Sequence, residues 1–247
     1  MNISQIINSY LASNTASSNT QTQSTGSVNP VASALLRANQ RIQAQLDTTT
    51  AQLSSFGKLK SSVSDVQLAA RSLSKFSASA TSTDVKTAAN QFVSTFNTAI
   101  STAKTAASAA GGTQAQATGA SNVSSDLIRT VRASTATVDA LKKLGITLKS
   151  DGTMALDATK FDAAQKADPA SVKTTLSKIG QLVDATATKE LATSGNVNGS
   201  MDSLNQRSTA LKAQQTSMQT IVQKAADQQN SSSTSNSSYG VAAYQSS

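Results

Sequence analysis

Any chemistry in this 247-residue chain has to be built from acids, lysines and hydroxyls, because it contains neither histidine nor cysteine. That composition removes the imidazole base, the thiolate nucleophile, disulfides and the usual zinc ligand sets. The 13 acids are aspartates except for Glu190. Asp151 and Asp157 stand close enough together to suggest a calcium loop. An EF-hand needs oxygen ligands at alternate positions and a distant glutamate, whereas Gly152, Thr153, Met154, Ala155 and Leu156 fill this interval. A turn and a helix cap account for both aspartates instead. Gly111-Gly112 and Gly195/Gly199 lack the preceding strand and following lysine of a phosphate loop. A Ser–Lys or Asp–Asp hydrolase would still be conceivable, but no spacing singles one out. The chain reads as non-enzymatic, with no cofactor and no metal.

The formal net charge is +8 and the sequence pI about 9.8, which raises nucleic acid as a partner. The bases are scattered, Lys142 and Lys143 form the one adjacent pair, and no aromatic residue stands beside them to stack a base. A solvated basic face is the better account. No window reaches the roughly 20 apolar residues of a membrane span. Met1 to Ala12 has neither the basic nor the apolar region of a cleaved secretory signal. Sequons such as Asn122-Val-Ser and Asn236-Ser-Ser are chance products of a Ser-rich chain.

The elements that would position these residues are mostly helical. Apolar content is 38% and aromatic content 3%, too little large side-chain volume for one big globular core and suited to thin helical layers. Leu46, Thr49, Leu53 and Phe56 step by 3, 4 and 3, and Leu59, Val63, Val66, Ala70 and Leu73 continue the rhythm. Met201, Leu204, Ser208, Leu211, Gln215, Met218, Val222 and Ala225 repeat it near the other end. Such spacing predicts one seam on each of two long helices, as in coiled coils. The expectation is an elongated, mainly α bundle in which the N- and C-terminal helices pack as the legs of a rod. Leu46, Leu53, Phe56, Leu59, Val63, Val66, Leu73, Leu204, Leu211, Met218 and Val222 form its seam.

Three regions follow: a flexible segment 1–29, a helical rod 30–229 and a flexible tail 230–247. Ile3, Ile6, Ile7, Tyr10 and Leu11 fall at helical spacing, and 12–28 is almost wholly Ser, Thr, Asn, Gln and Ala. Asn29-Pro30 suits a helix start, and the first long helix should reach about Phe76. Its 3–3 step at Phe56–Leu59, with Gly57 inside it, would permit a kink. A second helix should begin after Thr83 or Asp84, bury Val85, Ala89, Phe92, Val93, Phe96 and Ile100, and stop at Gly111-Gly112. A third should begin near Ser124 to Asp126, carry Leu127, Val131, Val138 and Leu141, and end on Gly145. Ile146, Leu148, Met154 and Leu156 then alternate around Asp151-Gly152, predicting a hairpin over about 146–156 with a two-residue type I′ turn. Asp157 and Asp168-Pro169 should cap two further helices, the second reaching about Leu191. Ser194 to Ser200 reads as a turn into the last helix.

Taken in order, these segments resemble the bacterial flagellar filament-capping protein family, also called hook-associated protein 2. Leu141-Lys-Lys-Leu-Gly-Ile-Thr, Asp151-Gly-Thr-Met-Ala-Leu-Asp157, Phe161 and Asp168-Pro-Ala-Ser-Val172 follow its "LGI, DG, L-x-LD, DP-x-x-V" succession. Ile6-Ile7-Asn-Ser-Tyr-Leu11 looks like its opening helix and Leu53-Ser-Ser-Phe-Gly-Lys-Leu-Lys-Ser61 like its "A-x-G-x-LKS" segment. Phe92-Val-Ser-Thr-Phe-Asn97 is similar to its "FV-x-x-YN" helix, with Phe for Tyr, and the seam from Met201 to its closing helix. The chain departs from the family where a large β-rich head insertion is expected, since only Ser77 to Thr83 occupies that place. The stretches 12–28 and 230–247 are also more polar than the family pattern.

The resemblance implies a headless, structural flagellar protein, a minimal filament cap that assembles at the tip and supports flagellin polymerisation. It implies a homo-oligomeric ring, flagellin and hook-associated proteins as partners, an export chaperone, and an extracellular location reached by type III export without a cleaved signal. Ile6, Ile7, Tyr10 and Leu11 would be the assembly interface, needing apolar surface from a neighbouring subunit. Neither nucleic-acid binding nor membrane insertion is expected. A secreted helical adhesin or effector, or a flagellin-like filament subunit, would use the same elements differently.

Overall fold

The computed structural model describes residues 30–76, 79–109 and 114–244. Its helices are α1 (Pro30–Ser74), α2 (Ser82–Ala109), α3 (Gln114–Val131), α4 (Thr135–Lys143), α5 (Ala158–Ala167), α6 (Pro169–Leu191) and α7 (Asn196–Tyr244), with strands β1 (Ile146–Leu148) and β2 (Met154–Leu156) between α4 and α5. The fold is mainly α with one antiparallel hairpin. The chain divides into two units, Thr50–Asn205 and Met1–Thr49 with Gln206–Ser247.

The larger unit holds one continuous core. Phe56, Phe92, Phe96, Phe161, Leu59, Leu73, Ile100, Leu127, Ile146 and Leu176 are its largest fully buried side chains. Helix α2 starts on a reciprocal cap: Thr81 Oγ1 accepts from Asp84 N–H at 3.2 Å, and Asp84 Oδ2 accepts from Thr81 N–H at 2.9 Å. Val85, Ala89, Phe92, Phe96, Ile100 and Ala103 then recur every three or four residues on its buried face. Asp157 Oδ1 caps α5 through Lys160 N–H at 3.1 Å, and Asp168 Oδ1 caps α6 through Ser171 N–H at 2.9 Å with Pro169 opening the first turn.

Several boundaries differ from the sequence reading. Helix α3 begins at Gln114, well before Ser124. Its first turns bury Gln116, Gly119 and Ala120 rather than large apolar groups, so apolar periodicity does not register them. A Cβ on Gly119 would collide with Ser200, which explains why small residues serve here: α3 and the start of α7 approach closely. The third helix is also not continuous to Gly145. It stops at Val131, and Ser134, extended at φ −149°, caps α4 by accepting from Thr137 N–H at 3.1 Å. The apolar rhythm skips a beat between Val131 and Val138, and Ser134 sits in the gap. Gly145 ends α4 at φ +79°, its N–H donating to the Lys142 carbonyl at 3.0 Å.

The hairpin pairs Ile146 with Leu156, Thr147 with Ala155 and Leu148 with Met154. Its turn is longer than the expected two-residue form. Lys149 N–H donates to Thr153 O at 2.7 Å and Gly152 N–H to Lys149 O at 3.1 Å, leaving three residues between the paired ends. Gly152 has a positive φ, at +86°, as the left-handed residue that closes a three-residue hairpin loop requires. The side chain of Asp151 stiffens the loop by accepting from Thr153 N–H at 2.9 Å and its hydroxyl at 2.7 Å. The start of α7 also differs: the helix opens at Asn196, so Gly199 lies within it rather than in a turn.

In the smaller unit, α1 and α7 meet around Val222, with Leu35, Leu36 and Met218 packed half-buried against it. Gln215 Nε2 donates to Gln43 Oε1 at 3.1 Å across the pair. The helical backbone continues through Asn230, where composition places a flexible tail, as far as Tyr244. That stretch contains no proline and one glycine. Ser and Asn each weaken a helix by well under the roughly 1 kcal/mol of glycine.

Candidate functional site

The seam residues are the first candidates, and their burial separates into two groups. In the larger unit Phe56, Leu59, Val63, Val66, Leu73 and Leu204 are fully buried in the common core, and Leu53 is half-buried against it. In the smaller unit Leu211 and Val222 are buried, whereas Leu46 and Met218 are half-buried. The smaller unit also buries Asn39 and Thr49, so polar positions interrupt its apolar layer. Ile6, Ile7, Tyr10 and Leu11 lie outside the described residues.

Hairpin and α2 are joined by a side chain whose role the sequence reading did not assign. Asn97 Oδ1 accepts from Met154 N–H at 2.6 Å, and Asn97 Nδ2 donates to Met154 O at 2.9 Å. One side-chain amide thus satisfies the outward main-chain donor and acceptor of β2 as a neighbouring strand would. Lys104 Nζ adds a bond to Asp151 O at 2.6 Å. The residue Asn97 was visible at the end of Phe92-Val-Ser-Thr-Phe-Asn97. A polar residue following two buried phenylalanines, and placed on the same helix face one turn from Val93, is the signal that could have found it.

A charged junction lies where α3, α6 and the start of α7 meet. Glu190 is completely buried. Its Oε2 accepts from Asn196 Nδ2 at 2.7 Å, while Oε1 has no hydrogen-bond partner among the described residues and Lys189 Nζ stands 3.8 Å away. The ammonium of Lys189 is spent instead on Asp126 Oδ2 at 2.9 Å, and Arg129 approaches Asp126 Oδ1 at 3.4 Å. Burial pushes the Glu190 carboxyl above the usual range, the neighbouring Asp126 carboxyl adds to this, and the Asn196 hydrogen bond opposes it. The Lys189 hydrogen bond holds Asp126 below the usual range against its own partial burial. That same bond raises Lys189 above its ordinary value. Because the Glu190 side chain is fully covered, it meets no substrate; the junction is a structural joint. Gly195 belongs to it, since a Cβ there would strike the carbonyls of Lys189 and Glu190.

Further polar contacts tie elements of the larger unit together, among them Gln165 Nε2 donating to Ser82 O at 3.1 Å and Lys173 Nζ to Ala80 O at 2.9 Å. Arg71 pairs with Asp184 at 2.9 Å and Lys86 with Asp162 at 2.7 Å, exposed pairs of a kind that typically contribute well under about 1 kcal/mol. Among the described residues no cluster of three acids exists to hold a metal, and no helix is long and apolar enough to cross a membrane. What the arrangement offers is surface and stiffness: buried apolar seams, a hairpin clamped to α2 and a locked α6–α7 turn.

Residues 69–240 match the family described as "Flagellar hook-associated protein 2 C-terminus". No curated protein and no solved structure matches the chain. The matched span takes in everything from the last turn of α1 through the hairpin and the locked turn to α7, in the order that the motif succession anticipates. On that match the chain belongs to the flagellar hook-associated protein 2 family.

Proposed function

We propose that the protein is a minimal filament cap, a non-enzymatic homo-oligomer at the distal end of the flagellum that supports addition of flagellin. The observation that carries this reading is family membership combined with a short α1–α2 connection. Helix α1 ends at Ser74 and α2 begins at Ser82, where the family resemblance leads one to expect a β-rich head. The protein would therefore work through its helices, with flagellin and hook-associated proteins as neighbours and Ile6, Ile7, Tyr10 and Leu11 as added contacts between subunits. Delivery through the flagellar export channel, assisted by a chaperone, fits the same reading. It is supported by an apolar patch in residues 1–11 followed by a polar stretch, a composition that orders on binding rather than alone.

A deletion strain tests the capping role. Loss of the gene should give short or absent filaments and flagellin released as monomer into the medium, both restored by the full-length chain. Filaments of normal length with no released flagellin would contradict it.

A further inference from the structure

Asn198-Gly199 is the one asparagine–glycine pair in the sequence, and it stands in the first turn of α7, just past the α6–α7 turn. Nothing in the fold asks for glycine at 199. Its φ is not in the left-handed region, and a Cβ there would meet nothing within 4 Å, although glycine weakens a helix relative to alanine. Asn198, by contrast, has a defined task. Its Nδ2 donates to Leu191 O at 2.5 Å and to Ala192 O at 3.3 Å. The side chain thus reaches back onto the end of α6 and satisfies carbonyls that a helix C-terminus leaves open.

An asparagine followed by glycine carries its own reactivity. Gly199 N can attack Asn198 Cγ, because glycine lacks the Cβ that hinders this approach. The new C–N bond closes a five-membered succinimide, and Nδ2 leaves with the Gly199 amide proton as ammonia. Water then adds to either imide carbonyl. The product is aspartate or, when the bond to the former main-chain carbonyl breaks, isoaspartate. The folded turn withholds both reactants: Gly199 N–H donates to Gly195 O at 2.9 Å, and Asn198 Nδ2 is held on two carbonyls. Asn196, which holds the Glu190 carboxyl, and buried Val197 precede the pair in the same turn. Cyclisation therefore requires this turn to open, and opening of a helix end is a local event far less costly than global unfolding.

We propose that Asn198 is a self-modification site, converted by water to aspartate or isoaspartate when the first turn of α7 opens, and that the conversion releases the α6–α7 turn irreversibly. An aspartate at 198 loses both donors and sets a carboxylate against the carbonyls of Leu191 and Ala192. The favourable position at a helix N-terminus offsets only part of that loss. An isoaspartate routes the chain through the side chain and adds one methylene to the main chain, which breaks the geometry of the bond from Gly199 N–H to Gly195 O. Asp151-Gly152 is the corresponding aspartate pair, but Lys149 O holds Gly152 N–H at 3.1 Å and Thr153 holds Asp151 Oδ1. Isomerisation there would change no mass, which separates the two sites experimentally. The inference does not rest on the capping role, and either can fail without the other.

The test incubates full-length protein at mildly alkaline pH, native and in urea, and maps its tryptic peptides by mass spectrometry, with isoaspartate read by methyltransferase labelling. In both states the peptide 190–207 should gain, at Asn198, the mass of an amide exchanged for an acid. The gain should be at least about tenfold faster in urea than in the fold. Gly199→Ala, which open space accommodates, should suppress the gain at 198 in a protein whose α7 amides stay protected. Native protein that carries the modification, separated by its added negative charge, should lose amide protection over residues 197–200 by about tenfold while the hairpin keeps it. Four results would overturn the proposal: no gain at Asn198 in either state, equal rates in the two states, an undiminished gain in Gly199→Ala, or unchanged exchange in the modified protein.

Discussion

Asn97 and Glu190 are two polar side chains held against the core of the larger unit, and they behave oppositely. Asn97 is half-exposed and fully used, bonded through both ends of its amide to Met154. Asn97→Ala should therefore leave a donor and an acceptor of β2 unmet and cost about 2 kcal/mol, with hairpin amides exchanging faster than those of α6. Denaturant melts paired with hydrogen exchange would check both; an unchanged midpoint would mean that water replaces the amide without loss. Glu190 is buried and only half used, and its carboxyl is held above the usual range. The folded state then retains the proton to higher pH than the unfolded chain does. The associated stability is fully present below about pH 4.3, the unfolded value for Glu, and is lost as pH rises through the folded value. Asp126, held low by Lys189, acts in the opposite sense: its contribution is present above about pH 3.9 and is lost as pH falls. Glu190→Gln should accordingly gain stability over the native chain as pH rises from about 4.3 through the folded Glu190 value and level off above it, by about 1 kcal/mol at the plateau. Thermal melts across that range would show it, and parallel curves for the two proteins would refute it.

At the scale of elements, two helix glycines make contrasting predictions. Gly57 lies inside α1, and a methyl group on its Cα would have nothing within 4 Å, so Gly57→Ala should stabilise by about 0.5–1 kcal/mol through backbone entropy alone. A loss on the same substitution would show that the 3–3 step requires glycine. Gly180 lies in α6 directly over the end of α1, where a Cβ would clash with Ala70 O and reach Leu73 Cβ at 3.0 Å and Ser74 N at 3.1 Å. Gly180→Ala should destabilise by about 1–3 kcal/mol, since α6 must move outward to accept it. Elements made of large apolar residues were legible in the sequence: α1, α2 and α6 follow the spacing of Leu, Phe, Val and Ile, and the aspartate caps of α5 and α6 were where Asp157 and Asp168 predict. Elements made by other means were not. The first turns of α3 pack through Gln116, Gly119 and Ala120, which carry no apolar periodicity, and the break at Ser134 looks in sequence like one weak position of a continuous helix. The turn at Gly152 escaped because Asp-Gly serves both two-residue hairpins and the left-handed end of a longer loop. Glu190 could be seen as the lone glutamate, but its burial depends on three helices converging, which no local pattern encodes.

For the molecule as a whole, the seam rhythm conveys helices, while the order of unlike segments conveys kinship. A leucine stripe alone is common to many helical proteins. The succession of Gly145, the Asp151-Gly152 turn, Asp157 and Asp168-Pro169, set between a capped α2 and a long α7, is far more restrictive, and it lies inside the matched span 69–240. Leu211→Asp addresses the smaller unit, whose buried apolar groups are few: Leu211 is 5% exposed, and a carboxylate there should cost a few kcal/mol. Residues 206–222 should lose amide protection while the hairpin keeps it, and unchanged exchange would place the seam elsewhere. The most direct measurement for the capping role is the position of the protein on isolated flagella. Antibody-gold electron microscopy of wild-type filaments should find label confined to the distal end of each filament. Label along the filament length, or on the cell body with bare filament tips, would contradict the capping role.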